Sequence, residues 1–467
     1  MKKLISLFLA LVMVLSVCSF AVAEDVPEGY PEIIKDANGN PIDLGGMEII
    51  VTDYWSAADG TPNEPTSAAE EAQLEFRDWC MQTYNFKMIQ KSDGDWNTNP
   101  QTLMDFINTQ GEENRMMIMR PDSVSAAMNG GLLYDMSTLD CLDFTSSKWN
   151  PAIVSLMSKG TAVYGASTGA AEPREVVFFN KRLVEEAGID PESIYDLQKN
   201  NEWTFEKFEE LLAKCTRDTD NDGVNDTYGM ASNNDDTQRV AVSSNLGKFF
   251  DVVDGKYVCT AQSDNVIEAL NWAQKIIVNY GMPTPPDSNW DWYYEAFKSG
   301  SAAFHVGQSY EVNQGSNLDG MVDDFGMVCF PTGPKNQPGN YQTDISENIT
   351  VMPGFYDADR AWKIAFAWNL WTDETPGYEL ATDPDAWKST MYSRFRDDRA
   401  VDETYAILRD GAHNTSIISR LFGSDNDVMG QSFFWDIAGG AVTVAEAIET
   451  KMPAWQAYLD TANGVAQ

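Results

Sequence analysis

Residues 162–190 read AVYGASTGAAEPREVVFFNKRLVEEAGID. Two apolar runs, at 161–167 and 175–181, have the composition of short buried strands. The second leads at once into a helical pattern, residues 182–188, which ends on Gly188, a residue type that commonly terminates helices. Because strands that alternate directly with helices are typical of α/β domains, this stretch predicts the beginning of an α/β unit.

Another alternation precedes it. The strand patterns are at 46–55, 86–90 and 115–119, and the helical patterns are at 66–84 and 100–110. Ser67 and Glu70 have the spacing of a capping box at the start of the first helix. The order strand, helix, strand, helix, strand implies a parallel sheet covered by helices.

Further elements follow the central stretch. Helical patterns occur at 203–215, 264–279, 291–299, 357–373, 401–411 and 442–462, and a strand with a turn occurs at 324–334. The chain has no internal repeat and no Ser/Gly-rich linker. A chain of 467 residues exceeds one typical core, so we predict two α/β lobes joined by ordered crossings.

The N-terminus has the pattern of an export signal. Lys2 and Lys3 precede an apolar run that ends in Ala21-Val22-Ala23, which predicts a signal peptide over 1–23 that is cleaved after Ala23. An uncleaved membrane anchor is the alternative. Lipid attachment at Cys18 is a third interpretation, although the residue before it, Val17, is larger than usual. Residues 24–45 are polar and contain three prolines, as in a loose leader.

The chain is strongly acidic, with 71 acidic and 32 basic residues and a net charge of −39. Loss of Lys2 and Lys3 with the signal makes it −41. Such a charge disfavours nucleic acid and polyanionic ligands. The five cysteines after the signal are scattered and lack CxxC spacing. This arrangement argues against a disulfide framework and predicts small buried side chains.

The segment DTDNDGVND, residues 218–226, has carboxylates at metal-ligand spacing around Gly223. Oxygen ligands in this pattern suit Ca²⁺. The predicted ligands are Asp218, Asp220, Asp222, the carbonyl of Val224, and Asp226. The twelfth position holds Gly229 in place of a bidentate glutamate, so we expect a structural ion rather than a sensor. A solvated acidic turn is the alternative.

Several segments in order resemble the extracellular solute-binding proteins of ABC importers, in the branch that includes maltodextrin-binding proteins. They are residues 162–190 and 203–229, RMMIMRPDSVSAAMNGGLLYDMSTL at 115–139, EAFKSGSAAFHVG at 295–307, FGMVCFPTGP at 325–334 and AVTVAEAIETKMPAWQAYLD at 441–460. The chain departs from the family pattern after the 305 strand, where it reads Gly307-Gln308-Ser309 instead of Gly-Pro-Trp.

This resemblance implies a periplasmic-binding-protein-like fold, with two α/β lobes, three hinge crossings and a ligand cleft between the lobes. By motif, the crossings fall near 167–175, 305–309 and 341–348. The expected N-lobe is 46–168 plus 309–343, and the expected C-lobe is 175–305 plus 347–467. The implied partners are a sugar-like ligand and separate permease subunits in the membrane. We expect a monomer outside the cytoplasm, either at the cell surface or in a periplasm.

Aromatic residues indicate the class of ligand, because sugars stack their C–H faces on rings while polar groups bind their hydroxyls. The chain has 14 Trp and 18 Tyr. The candidates lie at strand ends, in loops or at the expected crossings. They are Tyr54, Trp55, Trp96, Arg120, Asp122, Gln308, Tyr310, Tyr341, Glu347 and Trp435. A neutral oligosaccharide is the predicted ligand.

A secreted carbohydrate-active enzyme, a glycoside hydrolase or lyase, is the alternative. Its chemistry requires two carboxylates about 5–9.5 Å apart, a spacing that a sequence with 71 acidic residues does not exclude. The chain lacks G-x-S-x-G, Walker and H-E-x-x-H motifs. Its two histidines, His305 and His413, are predicted to be structural. We therefore expect a binding protein with no catalytic residues and no catalytic cofactor.

Overall fold

The structure is a computed structural model. It describes residues 26–95, 98–120, 124, 127–128, 130–169, 173–254, 256–343, 348–379, 383–409 and 431–463. The predicted signal peptide and three predicted ligand contacts, Trp96, Asp122 and Glu347, lie outside these residues.

The first lobe is built on a five-stranded sheet with the order β2-β1-β3-β13-β6. Its strands are β1 (Met47–Asp53), β2 (Phe86–Ser92), β3 (Asn114–Met119), β6 (Gly165–Ala166) and β13 (Ile349–Val351). β1 pairs in parallel with β2 and β3, as the strand-helix alternation predicted. β13 is antiparallel to its neighbours β3 and β6.

The second lobe is built on a four-stranded sheet with the order β12-β7-β11-β8. Its strands are β7 (Glu175–Asn180), β8 (Tyr228–Met230), β11 (Ala302–Gln308) and β12 (Phe325–Cys329). Two small pairs lie outside both sheets: β4 (Ser158–Lys159) with β5 (Ala162–Val163), and β9 (Phe250–Val253) with β10 (Lys256–Cys259).

Helices cover both sheets. They are α1 (Ala68–Thr83), α2 (Asn99–Thr109), α3 (Pro151–Leu156), α4 (Lys181–Glu186), α5 (Pro191–Lys199), α6 (Phe205–Cys215), α7 (Asn234–Ser244), α8 (Asp264–Tyr280), α9 (Trp292–Lys298), α10 (Ala358–Trp371), α11 (Ala386–Arg394), α12 (Ala406–Leu408), α13 (Gln431–Ala438) and α14 (Val444–Ala462). A π-helical turn, Ala400–Tyr405, precedes α12. Among these described helices, none is long and apolar enough to cross a bilayer.

The capping signals act largely as predicted. Ser67 caps α1 by accepting a 3.2 Å hydrogen bond from the Glu70 amide. The Glu70 carboxylate bonds the Thr66 amide at 2.7 Å, one residue earlier than a capping box requires. Thr204 caps α6, and Gly188 has a φ of +75°, which suits glycine after a helix.

Each lobe has its own apolar core. The first core combines residues from 44–166 with residues from 349–370. The second combines residues from 176–341 with residues from 395–459. All five cysteines after the signal are free, and Cys80, Cys215 and Cys329 are buried, as the sequence predicted for small apolar side chains. Burial raises the pKa of Cys80 to about 12, so its thiol stays protonated.

The expected division of the lobes is wrong in its second half. The strand β12 pairs with β7 in the second lobe, whereas residues 309–343 were assigned to the first. Conversely, β13 and α10 belong to the first lobe, although 347–467 was assigned wholly to the second. The cause is the order of the crossings. The chain stays in the second lobe after residue 308, because Val312 and Leu318 pack into that core.

The described residues show the chain passing between the lobes at three places. The first lies between Ala166 and Glu175, and the second between Thr343 and Asn348, both close to their expected positions. The expected crossing at 305–309 does not exist, because β11 runs unbroken to Gln308, which pairs with Glu175. The third crossing instead follows α10, between Trp371 and Ala386.

Candidate functional site

Strand polarity identifies the edges of the two sheets that face each other. The first crossing leaves the end of β6 and enters the start of β7. Pairing places the ends of β1, β2 and β3 on the same edge as the end of β6. In the second sheet, the ends of β8, β11 and β12 lie beside the start of β7. These two edges form the walls of the interlobe cleft, the usual place for a ligand in open α/β sheets.

On the first wall, a buried carboxylate fixes the turn after β1. The Asp53 Oδ1 atom accepts hydrogen bonds from the amides of Trp55 (3.1 Å) and Ser56 (2.9 Å). Its Oδ2 atom accepts from Ser56 Oγ at 2.6 Å and from Gln90 Nε2 at 2.8 Å. Four donors therefore satisfy a fully buried anion, and the turn presents Trp55 with 51% of its surface exposed.

Tyr54 joins this turn to the second crossing. Its hydroxyl donates to Asn348 Oδ1, and its ring lies edge-on against the Trp55 indole at 4.8 Å between centroids. Arg120, at the end of β3, is half-buried on the same edge. The structure thus places Tyr54, Trp55 and Arg120 at the same edge of the first sheet, and their contact with a ligand stays a prediction.

On the second wall, Gln308 ends β11 and Tyr310 lies in the following 3₁₀ turn, Ser309–Val312. The Arg174 guanidinium lies 5.0 Å from the centroid of the Tyr310 ring, a cation–π contact. Both Gln308 and Tyr310 are half-buried. Burial, followed by the charge of Glu311, raises the pKa of Tyr310 above its ordinary value, so the phenol remains a hydrogen-bond donor.

Trp435 lines a cavity at the outer end of this wall. The cavity has a volume of about 320 Å³, and its lining includes Met230, Ser232, Met282, Trp292 and Gly439. The Trp435 ring is 5.2 Å from that of Trp290, which is half exposed. Its indole N–H is buried without a hydrogen-bond partner within the described structure. The cavity is therefore lined by two tryptophans, Trp292 and Trp435.

Tyr341 does not belong to this site. Only 1% of its surface is exposed, and its hydroxyl donates to the Gln198 carbonyl at 2.8 Å within the second core. The prediction took a tyrosine near a crossing as a cleft residue, but the chain has not yet left the lobe at that position. Burial, aided by Cys329, also raises the pKa of Tyr341.

Sequence reasoning missed several residues of the walls. Asp53 was predicted only as part of a strand, and Glu311 was not considered. Trp290 and Trp292 were considered as possible cleft contacts but were not included among the ten predicted ones. Glu311 could have been found from its spacing. It lies three residues after Gln308, the position from which a glutamate side chain commonly accepts a hydrogen bond from the backbone amide that begins a helical turn.

The acidic loop brings together three of its four aspartates. Carboxylate oxygens of Asp218, Asp220 and Asp222 lie within 4.8 Å of one another, a spacing that fits a bound cation. Asp226 is turned away, since its Oδ2 accepts from the Thr219 amide at 2.7 Å and from the Thr219 hydroxyl. These bonds lower the pKa of Asp226. Three of the predicted ligands, Asp218, Asp220 and Asp222, therefore lie close enough to share a cation, and Ca²⁺ binding stays a prediction.

A model of the bacterial extracellular solute-binding protein family matches residues 87–365, more than half of the chain. The chain belongs to this family. The two lobes, three crossings and facing sheet edges are the architecture in which the family's cleft would lie. No curated protein gives a significant match.

Solved structures of other solute-binding proteins share this fold. The cyclic α-maltosyl-1,6-maltose binding protein from Arthrobacter globiformis has a TM-score of 0.61 at 16% identity, over 89% of this chain and 100% of that one. The GacH receptor of Streptomyces glaucescens, solved unliganded and with acarbose, has a TM-score of 0.59 at 15% identity, over 89% of this chain and 99% of that one. UgpB from Mycobacterium tuberculosis, solved in complex with glycerophosphocholine, has a TM-score of 0.61 at 14% identity, over 90% of this chain and 99% of that one. At these identities the likeness establishes the fold alone.

Proposed function

We propose that this solute-binding protein captures a neutral oligosaccharide outside the cytoplasm for an ABC importer. The observation that carries the proposal is the placement of aromatic rings on both walls of the cleft. Trp55 stands exposed on the first wall, and Tyr310, Trp292 and Trp435 line the second. Rings on both walls of a cleft suit the apolar faces of pyranose units.

The charge of the molecule supports a neutral ligand. The net charge of −39 repels phosphate and uronate groups as they approach. One structural neighbour is a cyclic maltosyl-maltose binding protein and another was solved with acarbose, whereas a third was solved with glycerophosphocholine. These ligands belong to the neighbours. Because of the third neighbour, a zwitterionic small molecule such as glycerophosphocholine is the second class of ligand to test on this chain.

Capture without turnover is part of the proposal. The family to which the chain belongs consists of binding proteins. We infer that the ligand leaves unchanged, is handed to separate permease subunits, and is bound by a monomer. Overnight incubation with the bound glycan, followed by mass analysis, tests this inference. Cleavage products would favour the carbohydrate-active enzyme instead.

The test of the proposal is calorimetry with a panel of linear and cyclic neutral oligosaccharides, repeated on Trp55→Ala and Trp435→Ala. Each variant loses a stacking surface that contributes about 1.5–3 kcal/mol to the free energy of binding. The Kd should therefore rise roughly ten- to a hundredfold. Trp362→Ala is the matched control, because Trp362 lies in α10 and its indole N–H donates to Asp140 Oδ1 within the first lobe. Circular dichroism confirms folding.

Equal affinities of wild type and both cleft variants would remove these rings from the site. Binding of glycerophosphocholine or a peptide, with no glycan bound, would contradict the choice of ligand while leaving the cleft in place.

A further inference from the structure

His305 lies inside the second lobe, at the back of the proposed wall, with 0% of its surface exposed. Both of its ring nitrogens face oxygen atoms. Nδ1 is 2.7 Å from the Ala231 carbonyl oxygen, and Nε2 is 2.8 Å from Glu311 Oε2. Glu311 is also buried, with 2% exposed. A buried carboxylate beside a buried imidazole is costly unless every polar atom is satisfied.

The hydrogen-bond partners of His305 and Glu311 determine where their protons lie. A carbonyl oxygen only accepts, so Nδ1 carries a proton. The short contact between Nε2 and Oε2 then needs a second proton between them, which belongs either to the imidazole or to the carboxyl group. In both forms the pair has no net charge, which explains how it is accommodated in the core.

The other carboxylate oxygen holds the backbone of the wall. Glu311 Oε1 accepts a 2.9 Å hydrogen bond from the Gln308 amide and a 3.3 Å bond from the Tyr294 hydroxyl. Burial, followed by the charge of Glu311, raises the pKa of Tyr294 far above its ordinary value, so this hydroxyl stays a donor. The carboxylate thus closes the turn that follows β11.

Gly307 leaves the space for this arrangement. A Cβ atom at this position would come within 2.3 Å of Glu311 Oε2 and 2.4 Å of His305 Nε2. These are the two atoms that share the proton. Any larger residue would therefore separate the pair.

The turn connects the pair to the cleft and to the first crossing. The Ser309 amide donates to the Arg174 carbonyl at 2.8 Å, and the Ser309 hydroxyl donates to the Pro173 carbonyl. Tyr310, next in the chain, lies against the Arg174 side chain. A shift of the turn would move Tyr310 and the end of the crossing together.

We propose that His305 and Glu311 are positioning residues, which hold the turn Ser309–Val312 so that Gln308 and Tyr310 face the cleft in a fixed geometry. Neither residue touches the solute. The proposal rests on the proposed function for the solute it names, but the position of the turn can be measured without any ligand.

The first experiment is ¹⁵N NMR of protein labelled at histidine. The chain has only two histidines, so the variant His413→Gln assigns the signals. We expect His305 to carry a proton on Nδ1 and to show an Nε2 that is protonated or in strong hydrogen bonding. In Glu311→Gln, Nε2 should become a plain acceptor. An unprotonated Nδ1 in the wild type would overturn the proposal.

The second experiment compares amide exchange in the ligand-free protein. Glu311→Ala and Gly307→Ala should speed exchange at Gln308 and the turn roughly ten- to a hundredfold, because a charge-assisted bond is lost. Glu311→Gln should restore slow exchange, since its amide donates to His305 and its oxygen accepts from Gln308. If Glu311→Ala does not fold, Gly307→Ala takes its place. Unchanged exchange in either folded variant contradicts the proposal.

Calorimetry with maltotetraose and with cyclic α-maltosyl-1,6-maltose completes the test. Loss of positioning should weaken binding about tenfold or more, with rescue in Glu311→Gln. If the wild type binds neither glycan, the proposed function is called into question, while amide exchange still decides the role of the pair. If Glu311→Ala loosens the turn but binds a glycan as tightly as the wild type, the turn has no role in binding and the proposal is overturned.

Discussion

A buried aspartate fixes the backbone that carries an exposed tryptophan on the first wall. Asp53 accepts four hydrogen bonds, two of them from the backbone of the turn that carries Trp55. The ring can be exposed because its backbone is fixed from beneath, so little conformational freedom has to be lost when a ligand arrives. Binding residues on a rigid scaffold are the usual arrangement in proteins.

At the same scale, Ca²⁺ binding by the acidic loop stays a prediction. Three carboxylates that repel one another should be stabilised by a cation, which binds the folded state and raises its Tm. Melting curves with EDTA and with excess Ca²⁺ should therefore differ. Asp220→Asn should weaken the calcium response. Asp319→Asn, at an acidic residue outside the loop, should leave it unchanged.

Identical curves, together with no metal in the purified protein, would mean that this is a solvated acidic turn.

At the residue level, the local pattern predicts position along the chain. Trp55 and Gln308 lie at or just after strand ends, which can be predicted from apolar runs, whereas ligand contact by these residues stays a prediction. Tyr341 failed because burial depends on which segments pack over a loop. Its partner, the carbonyl of Gln198, is 143 residues away, and no local pattern encodes this contact.

Among the elements, α1 and α11 make a contact between the lobes outside the crossings. Arg394 Nη2 lies 2.9 Å from Glu70 Oε1, and the hydroxyls of Ser67 and Thr390 are 3.1 Å apart. Helix α11 is anchored to the second lobe by Lys388 and Tyr392, which both bond Asp402. The pair Glu70–Arg394 therefore ties the first helix of one lobe to a helix of the other.

We predict that Arg394→Gln increases the population of molecules with separated lobes. Both side chains of the pair are about one-quarter exposed, so we expect the ion pair to contribute only about 0.2–1 kcal/mol to the contact. Its loss should change the ratio of separated to joined lobes by up to roughly fivefold. Small-angle X-ray scattering measures the separation. Lys207→Gln is the control, since Lys207 pairs with Glu210 within α6 of the second lobe. A larger effect of Lys207→Gln than of Arg394→Gln would contradict the role of the contact.

The same contact should depend on pH. Burial of Glu70 raises its pKa, but hydrogen bonds from Thr66 and from the Arg394 side chain outweigh that effect and leave it lowered. A carboxyl group whose pKa is lowered by a contact stabilises that contact fully at pH values above its ordinary pKa, about 4.3. This stabilisation is lost as the pH falls through the lowered pKa. Scattering of the wild type should show greater separation at acid pH, whereas Arg394→Gln should change less.

Elements were easier to predict than their partners. The strands 46–55, 86–90, 115–119 and 175–181 all appear close to their predicted bounds. The strands β12 and β13 are both short and apolar, and nothing in either says which sheet it joins. Pairing between distant segments is decided by the whole core, so the assignment of 309–343 to the first lobe failed while its strand was found.

At the scale of the whole molecule, export stays a prediction. The family match concerns extracellular proteins, and the segment 1–23 has the order of charge, apolar run and small residues of a signal. We expect the native protein to begin at Glu24. Mass spectrometry of protein from its own cell membrane and medium measures this.

A diacylglyceryl group on Cys18 would show a lipid-anchored form, and an intact Met1 would show an uncleaved anchor. Replacement of Ala23 by a large residue such as Phe should slow cleavage, whereas replacement of Glu28 in the leader should not.

The three crossings have a consequence for biosynthesis. The first sheet lacks its inner strand β13 until residue 351 has been made. The second core lacks Trp455, which packs against Phe250 and Phe433, until α14 has been made. Neither lobe can finish folding while the chain is still short. We therefore expect a chain that is exported as predicted to complete both cores only after it has crossed the membrane.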